Sequence, residues 1–360
     1  MSQSHKKPLI ELRSSPHLRP QLRQTPSVDS IMRNVVLALL PICAFAVYRF
    51  GISALALILT VLAACLLTEA LFNKLGKRPG SLNDYSAVIT ALLLALTLPP
   101  GFPLWMGAVA GFIAIALGKA MFGGLGYNLF NPALVGRAFA QAAFPGAITS
   151  WTPAGVEGRF VEFIPSTLTL PFTKPPEVAD WVNQVAVDGF SGATPLALQK
   201  FAGEMTAAGE LFTGMVAGSL GETSALLILL CGLYLIARRM MDWRIPVGIL
   251  GSAALVGGLF YLIDPTQYPD PIFILFSGGL MLGAMFMASD MVASPVTPLG
   301  VWVYAILIGV LTVMIRLFAG LPEGVMYAIL LGNAAAPLIE QLTQPRAYGH
   351  KRSKQRKEQA

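Results

Sequence analysis

The sequence predicts an all-α polytopic membrane protein with about ten transmembrane helices and one outer, periplasmic loop segment. Three observations predict this fold class. The 360 residues are 55% hydrophobic and only 12% charged, whereas soluble domains carry about 25% charged residues. Apolar runs of helix-spanning length recur along the chain, and basic clusters flank alternate runs. A chain this poor in charge is expected in a membrane, where lipid is one of its partners.

The apolar runs predict where the helices lie. Crossing the hydrocarbon core takes about 20 predominantly apolar residues in a helix. Ten runs approach that length, and several of them are shorter. These runs are 34–48, 52–71, 86–98, 104–118, 129–144, 212–237, 246–263, 272–287, 301–318 and 325–342.

The basic residues predict the orientation of these spans. Clusters occur in the N-terminal tail and at 74–78, 238–244 and 351–357. With ten spans, every cluster falls on one side, which the positive-inside rule makes the cytoplasmic side. Both termini are therefore expected in the cytoplasm, and the chain in a bacterial inner membrane. Arg49 and Arg316 fall on the other side and are expected to snorkel outward from helix ends.

A long polar stretch divides the apolar body into two blocks of candidate helices. Each block holds five runs, and an odd number of spans per half predicts two halves of inverted orientation. The two halves share no convincing sequence repeat. The expected organisation is a cytoplasmic tail (1–33), a first transmembrane half (34–145), a periplasmic segment (146–209), a second half (210–343) and a basic cytoplasmic tail (344–360).

Cysteine and histidine placement excludes several kinds of chemistry. Cys43, Cys65 and Cys231 each lie alone in an apolar run, and the three histidines lie in the tails. This pattern predicts no disulfide framework, zinc site, iron–sulfur cluster or haem ligand. No metal site, catalytic side chain or nucleic-acid surface is expected. A redox cofactor held by other residue types stays open.

The periplasmic segment contains one distinctive motif, Asp-Gly-Phe-Ser-Gly-Ala-Thr-Pro-Leu-Ala at 188–197. A purely structural interpretation of the motif is a tight turn followed by a short helix, with Thr194 as N-cap and Pro195 at the first helical position. A functional interpretation is compatible with the same geometry. A phosphate ester on an N-cap residue would lie against unpaired helix N–H groups.

The motif resembles the acceptor signature Asp-x-x-(Ser/Thr)-Gly-Ala-Thr for covalently bound FMN. The resemblance implies that a flavin transferase joins the FMN phosphate to the hydroxyl of Thr194. Ser191, Gly192 and Ala193 are small enough to let the loop enter the transferase, and Asp188 completes the signature. The loop also lies on the outer face in the predicted topology.

The rest of the chain, from about residue 15 to 345, resembles the RnfD family of membrane proteins from Rnf electron transport complexes. That resemblance implies an ion-translocating complex that couples ferredoxin–NAD electron transfer to movement of Na⁺ or H⁺. The partners are then the other Rnf subunits, which hold the iron–sulfur clusters. Ser289 stands where the family pattern has threonine. The segments that carry the resemblance are 15–17, 31–41, 119–133, 221–224 and 285–290.

The family also implies a second, non-covalent riboflavin in the membrane body. Electrons crossing a hydrocarbon core of about 30 Å need such a carrier, and its expected seat is the glycine-rich interruption at 123–131. Lys119, Glu222 and Asp290 lie beside interrupted backbone, where an ion pair, a flavin contact or an ion path are all open. Other charges in spans are expected to be anchors or caps, namely Glu69, Arg316 and Glu340.

Two alternatives stay open. The related NqrB component of the sodium-pumping NADH:quinone reductase shares these patterns, although it is expected to carry a longer N-terminal extension. A non-redox secondary transporter would explain inverted halves, but transport alone does not need the motif at 188–194. In each case the chain is expected to be part of a translocase rather than an enzyme by itself.

Overall fold

The computed structural model describes residues 27–77, 84–176, 178, 181, 193–214, 216–222 and 224–345. Every regular element in these ranges is helical, so the predicted all-α class is confirmed. In chain order the helices are α1 (Val28–Phe50), α2 (Ile52–Leu75), α3 (Ser86–Leu96), α4 (Leu104–Ile115), α5 (Pro132–Ala143), α6 (Pro145–Ile148), α7 (Pro195–Ala197), α8 (Ala208–Thr213), α9 (Ala225–Ala237), α10 (Arg244–Ile263), α11 (Pro271–Phe276), α12 (Leu280–Leu282), α13 (Pro298–Phe318) and α14 (Val325–Thr343).

Length and composition identify the membrane helices. In the described part of the chain, α1, α2, α10, α13 and α14 are long and apolar enough to cross a bilayer. Shorter apolar helices accompany them, including α3, α9 and α4, which continues as π-helix over Ala116–Ala120. The chain is therefore a multi-pass membrane protein. Its first helix begins at Val28, inside the stretch assigned to the N-terminal tail.

The predicted span at 212–237 is wrong as a single helix. After the end of α8 it is helical again only from Ala225, and the part between crosses over the end of α3. There the amides of Leu220 and Gly221 bond to the carbonyls of Leu98 (3.1 Å) and Leu96 (2.7 Å). These two amides are thus satisfied without a helix. The run at 129–144 likewise begins later than predicted, at Pro132.

The run at 272–287 is a broken helix. α11 ends at Phe276, and α12 with its π-helical extension Gly283–Met287 starts at Leu280. Gly278 in the break adopts φ +61°, which favours glycine. A Cβ atom there would come within 2.5 Å of Leu196 Cδ1. The break therefore brings a discontinuous helix against the segment that follows Thr194.

One end of the bundle, here called the loop end, gathers the long polar segment and several helix turns. The amide of Ile52 bonds to the carbonyl of Arg159 (2.8 Å), and Gly51 adopts φ +73° where a Cβ would overlap that carbonyl. The hydroxyl of Ser166 donates to the carbonyl of Gly101 at 2.7 Å. The α1–α2 and α3–α4 turns thus lie at the loop end.

The opposite end, here called the cavity end, surrounds an internal cavity. Its walls include the start of α1 at Met32, the start of α3 at Ser86, the end of α4 at Lys119, Met240 beyond α9, and Asp290 before α13. Because α1 and α3 leave this end while α4 and α9 arrive at it, successive helices alternate in direction.

Helix packing repeats between the two halves. In the first half, α2 packs against α3 and α4, and α4 packs against α5. In the second, α10 packs against α11 and α13, and α13 packs against α14. The first helices of the halves, α1 and α9, pack on each other, and the hydroxyl of Tyr234 donates to Asn34 Oδ1 at 2.8 Å. The two halves therefore share one pattern of helix packing, and they contact each other along α1 and α9.

Candidate functional site

Thr194 begins a short helix at the loop end. Its backbone is extended (φ −76°, ψ 158°), and its Oγ1 accepts a hydrogen bond from the amide of Ala197 at 3.2 Å. Pro195 occupies the first helical position, where a missing N–H costs nothing. The helix continues as π-helix over Leu198–Ala202. The predicted N-cap and short helix are confirmed.

Thr194 is buried, with 6% of its surface exposed. Although the motif is predicted to lie in an outer loop, its threonine is not on the surface, because Leu196 anchors the helix in a small apolar cluster with Leu211 and Phe273. Ala193 is partly buried beside it. The remaining members of the predicted motif, Asp188, Ser191 and Gly192, lie outside the described residues.

Lys200 fixes the other end of this helix to a membrane helix. Its Nζ donates to the carbonyls of Arg316 (2.8 Å), Leu321 (3.1 Å) and Ala319, at and just beyond the end of α13. The last carbonyls of a helix have no partner inside it, so a lysine there satisfies them. Partial burial lowers the pKa of the Lys200 amine, whereas the carbonyl oxygens favour its charged form.

Arg316 caps the broken helix instead of snorkelling outward. Its Nη1 donates to the carbonyl of Ile274 (2.6 Å) and its Nη2 to that of Ser277 (2.9 Å). The snorkelling prediction is wrong because a helix that breaks inside the bundle leaves carbonyls that water cannot reach. Arg49 is also buried rather than extended toward solvent.

A buried ion triad lies near this break. Arg137 of α5 bonds to Glu222 Oε1 at 3.0 Å through Nη1, and to Glu323 through Nη2. A Cβ on Gly279 would come within 2.5 Å of Glu222 Oε1, so the triad adjoins the broken helix. Removing one member of a buried pair costs about 3–5 kcal/mol. Among the functions left open for Glu222, the structure therefore shows an ion pair.

The cavity end offers the space that the loop end lacks. Its cavity has about 780 Å³ of space between atoms, a figure that includes the open mouth. The space beside Leu196 and Lys200 is about 320 Å³. Methionines and aliphatic side chains make up most of the cavity wall. Its polar members are Ser86, Thr90, Lys119, Asn128, Asn131, Ser289 and Asp290.

Asn131 shapes this cavity by joining two helix ends. Its Oδ1 accepts from the amide of Ala133 (3.0 Å) as the N-cap of α5, and its Nδ2 donates to the carbonyl of Met287 (3.0 Å). The glycine-rich stretch predicted to hold a second flavin does border the cavity, through Leu125 and Asn128. The amides of Gly123 and Gly124 bond to nearby carbonyls and are not available to a ligand. Most polar groups that face the cavity therefore belong to side chains.

Lys119 lies in the cavity wall with its charge paired. Its Nζ bonds to Glu69 Oε1 at 2.6 Å and to the hydroxyl of Ser86. The expectation that Glu69 is an exposed anchor is therefore wrong, since both members of the pair are buried. Asp290 also faces the cavity, and its Oδ1 caps the amide of Val292 at 3.1 Å.

The polar side chains at the two ends differ in kind. Within the described residues, no group of three histidine, cysteine, aspartate or glutamate side chains is placed to hold a metal ion. The loop end presents a threonine hydroxyl, and the cavity end presents amides, hydroxyls, one amine and one carboxylate. Such donors suit a polar organic ring system held in an apolar pocket.

A model of the NQR2, RnfD, RnfE family matches residues 12–349, nearly the whole chain. The chain belongs to this family. The resemblance drawn from its motifs is therefore confirmed at the level of the family, and both halves of the membrane body fall inside the match.

Relatives with assigned names point the same way. The chain is 44% identical to the D subunit of the Na⁺-translocating ferredoxin:NAD⁺ oxidoreductase complex of Acetobacterium woodii, over 94% of this chain and 95% of the relative. It is 40% identical to the proton-translocating counterpart of Clostridium ljungdahlii, over 96% and 98%. It is 41% identical to the D subunit of the ion-translocating oxidoreductase complex of Alcanivorax borkumensis, over 91% and 94%.

Sequence reasoning missed several residues that build the two ends in this family member. Lys200 and Glu323 gave no local signal, since each lies outside the predicted spans, where a charge is ordinary. Tyr304 was missed for another reason, because a tyrosine in an apolar helix is typical of core packing. Its hydroxyl in fact donates to Asn333 Oδ1 at 2.8 Å, and the carbonyl oxygen of Ala288 lies 3.3 Å away.

Proposed function

We propose that the chain is the RnfD-type membrane subunit of an ion-translocating complex that passes electrons between ferredoxin and NAD⁺. The observation that carries the proposal is identity of about 40% or more, over nearly full length, to proteins named as that subunit. The other subunits of the complex are then its partners. The two alternatives, an NqrB-type quinone reductase component and a secondary transporter, draw no support from these relatives.

The topology proposed for this function has ten spans in two inverted halves. The alternating helix directions and the repeated packing of the halves support it. The basic residues near Lys74 and Arg238 follow helices that run to the cavity end, so that end is cytoplasmic and the loop end periplasmic. Alkaline phosphatase fused after residue 180 should be active and after residue 345 inactive. The reverse pattern would contradict the orientation.

The proposed covalent site is Thr194, carrying FMN through a phosphoester. Thr194 fits this role because its hydroxyl stands at a helix start, and the N-cap bond uses only a lone pair of Oγ1. Bound there, flavin supplies one- or two-electron redox chemistry. Ester formation needs a leaving group on the flavin phosphate, which a flavin dinucleotide provides. Oγ1 bonds to phosphorus, the pyrophosphate bond breaks, the nucleotide leaves and the hydroxyl proton passes to a base of the transferase.

The burial of Thr194 adds a condition to this modification. A transferase must surround the hydroxyl, yet Leu196 and Lys200 hold the helix against α11 and α13. The helix therefore has to leave its seat while the ester forms. The flavin is therefore attached either before the Thr194 helix docks against α11 and α13 or while that helix is temporarily undocked.

The second, non-covalent flavin is proposed for the cavity at the cytoplasmic end. A riboflavin ring carries carbonyl and N–H groups at one edge and an apolar dimethylbenzene edge at the other. Asn128 and Ser289 offer polar partners for the first edge, and Met285 and Phe286 offer an apolar wall for the second. The cavity residues bind and orient the ring and exclude water from it.

The function is tested in the assembled complex. Ferredoxin-dependent NAD⁺ reduction should be lost in the Thr194→Ala variant while the subunit still assembles with its partners. Thr173→Ala, which changes an exposed threonine of the same segment, is the matched control and should keep full activity. Normal electron transfer in Thr194→Ala would contradict the proposed role of the loop-end flavin.

A further inference from the structure

Residues 160–172 form a strip of exposed apolar side chains at the loop end. Val161, Leu170 and Phe172 are 82%, 70% and 96% exposed, and Phe160 and Leu168 are also exposed. These side chains project from a polar segment, not from a membrane helix. Apolar surface in water is costly, and several exposed apolar side chains in one short segment indicate a surface that is covered in the native setting.

The strip is fixed at the level where membrane helices end. The amide of Ile164 bonds to the hydroxyl of Ser53 (2.9 Å) in the first turn of α2, and Ser166 bonds to Gly101 at the α3–α4 turn (2.7 Å). The guanidinium of Arg159 donates to the carbonyl of Tyr48 (2.9 Å) in the last turn of α1. Since α1 and α2 are membrane-crossing helices, the strip lies at the boundary of the bilayer.

Aromatic rings continue from the helix ends into the strip. The ring of Phe172 lies 5.9 Å from that of Trp105, at the start of α4. The guanidinium of Arg159 lies 5.5 Å from the ring of Tyr48 and 4.7 Å from that of Phe160. Tryptophan and tyrosine concentrate at membrane–water interfaces. Phe160 and Phe172 thus add to the aromatic residues at this end of the membrane helices.

The chemistry of the strip matches lipid in two further respects. Glu162 is the one charged side chain in the strip, so the strip offers little charge to pair with a charged protein surface. Two of its hydroxyls also bond within the segment, since Thr169 and Thr173 donate to the carbonyls of Ser166 and Leu170 at 2.7 Å each. Polar groups that are paired inside the segment cost less to bring into the interface.

Phe172 shows that this presentation is built into the backbone. Its φ of +65° lies in the left-handed region, which is rarely adopted by a bulky residue. Such a conformation costs free energy and persists only where the surrounding structure holds it. Here the conformation turns the ring outward beside Trp105.

We propose that residues 160–172 are a lipid-binding surface that lies in the outer-leaflet interface next to α1, α2 and α4. The occupant is phospholipid, which the strip contacts through apolar burial and not through charge. The segment is therefore anchored by the membrane as well as by its hydrogen bonds to the helix ends. This inference depends on the membrane helices and not on any flavin.

Nitroxide labels test the proposal. Leu170→Cys and Phe172→Cys are labelled in a chain whose buried Cys43, Cys65 and Cys231 are replaced by alanine, and the protein is placed in phosphatidylcholine nanodiscs. Collisions with oxygen should exceed those with a water-soluble nickel chelate several-fold at both positions. Added phosphatidylglycerol should change neither ratio. The control label is at Glu204→Cys, an exposed charged position in the same segment, and should show the opposite preference.

Two results would overturn the proposal. Free access of the nickel chelate to the labels at Leu170 and Phe172 in nanodiscs would place the strip in water. Labels open to the chelate in the isolated protein but shielded from both reagents in the whole complex would instead identify a partner protein as the occupant. Retained detergent-solubilised yield of each cysteine variant shows that the fold is intact.

Discussion

At the loop end, Thr194 stands on a helix of three residues extended by a π-helix of five. At the cavity end, the polar side chains stand where long membrane helices meet. The loop end offers a hydroxyl with little room around it, and the cavity end offers about 780 Å³ with no strong nucleophile among its described side chains. A covalent bond can substitute for an enclosing pocket, and a pocket can substitute for a covalent bond. The contrast supports one flavin of each kind.

The largest expected effect is loss of the covalent flavin alone. Thr194→Ala removes the only atom that can form the proposed ester, so ultraviolet fluorescence of the denatured band should vanish. The non-covalent flavin that can be extracted from the protein should persist, because the cavity lies at the other end of the bundle. A fluorescent denatured band from Thr194→Ala would move the attachment to another residue.

The converse variant fills the cavity. Val35→Trp adds bulk to a residue of α1 that lines it, and overpacking of this kind costs about 1–3 kcal/mol. Extractable flavin should fall about tenfold or more, while the covalent flavin on Thr194 stays. Leu40→Trp, on an exposed face of the same helix, is the matched control. Unchanged extractable flavin in Val35→Trp would place the second cofactor elsewhere.

A smaller effect concerns how firmly the Thr194 helix is seated. Lys200→Gln removes a charge from the carbonyls that end α13. Hydrogen bonds of charged groups are worth about 1.5–3 kcal/mol, and partial exposure of Lys200 reduces this to about 1 kcal/mol. Flavin transfer to purified unmodified protein should then be about fivefold faster. Phe201→Ala, at an exposed position of the same π-helix, should not change the rate, and equal rates in both variants would argue against undocking.

The smallest effect is expected from Thr194→Ser. Serine caps a helix about as well as threonine, so the main cost is the lost buried methyl group, and the free energy of unfolding should fall by about 0.8 kcal/mol or less. Because a hydroxyl remains, covalent flavin should be retained in part, as in-gel fluorescence would show. Complete loss would mean that the transferase also requires the threonine methyl group.

The sequence predicted the parts that local rules govern. The cap and proline that start the helix at Thr194 follow from adjacent residues, and the apolar runs follow from composition. Burial of Thr194 did not follow, because it depends on Leu196 packing with Phe273 far along the chain. The break at Gly278 had a local signal in Ser-Gly-Gly, but apolar residues on both sides concealed it.

Charged residues show the same limit. A charge within a span predicts that a partner exists, and this was sound for Lys119 and Glu222. The identity of each partner was beyond reach, since Lys119 meets Glu69 and Arg137 meets both Glu222 and Glu323 only in the folded bundle. Arg316 was misassigned because its partners are carbonyls of a break that was itself unforeseen.

The length of α13 has a consequence for electron transfer. It runs from the loop beyond Asp290 to the carbonyls that Lys200 holds, and its 21 residues measure about 30 Å. Flavins bound as proposed would sit near opposite ends of this rigid rod, too far apart to exchange electrons directly. The isolated protein would therefore not transfer electrons from one flavin to the other. Redox carriers in neighbouring subunits would be needed to connect them. If both flavins bind as proposed, a copy that has not yet joined its complex would not leak electrons across the membrane.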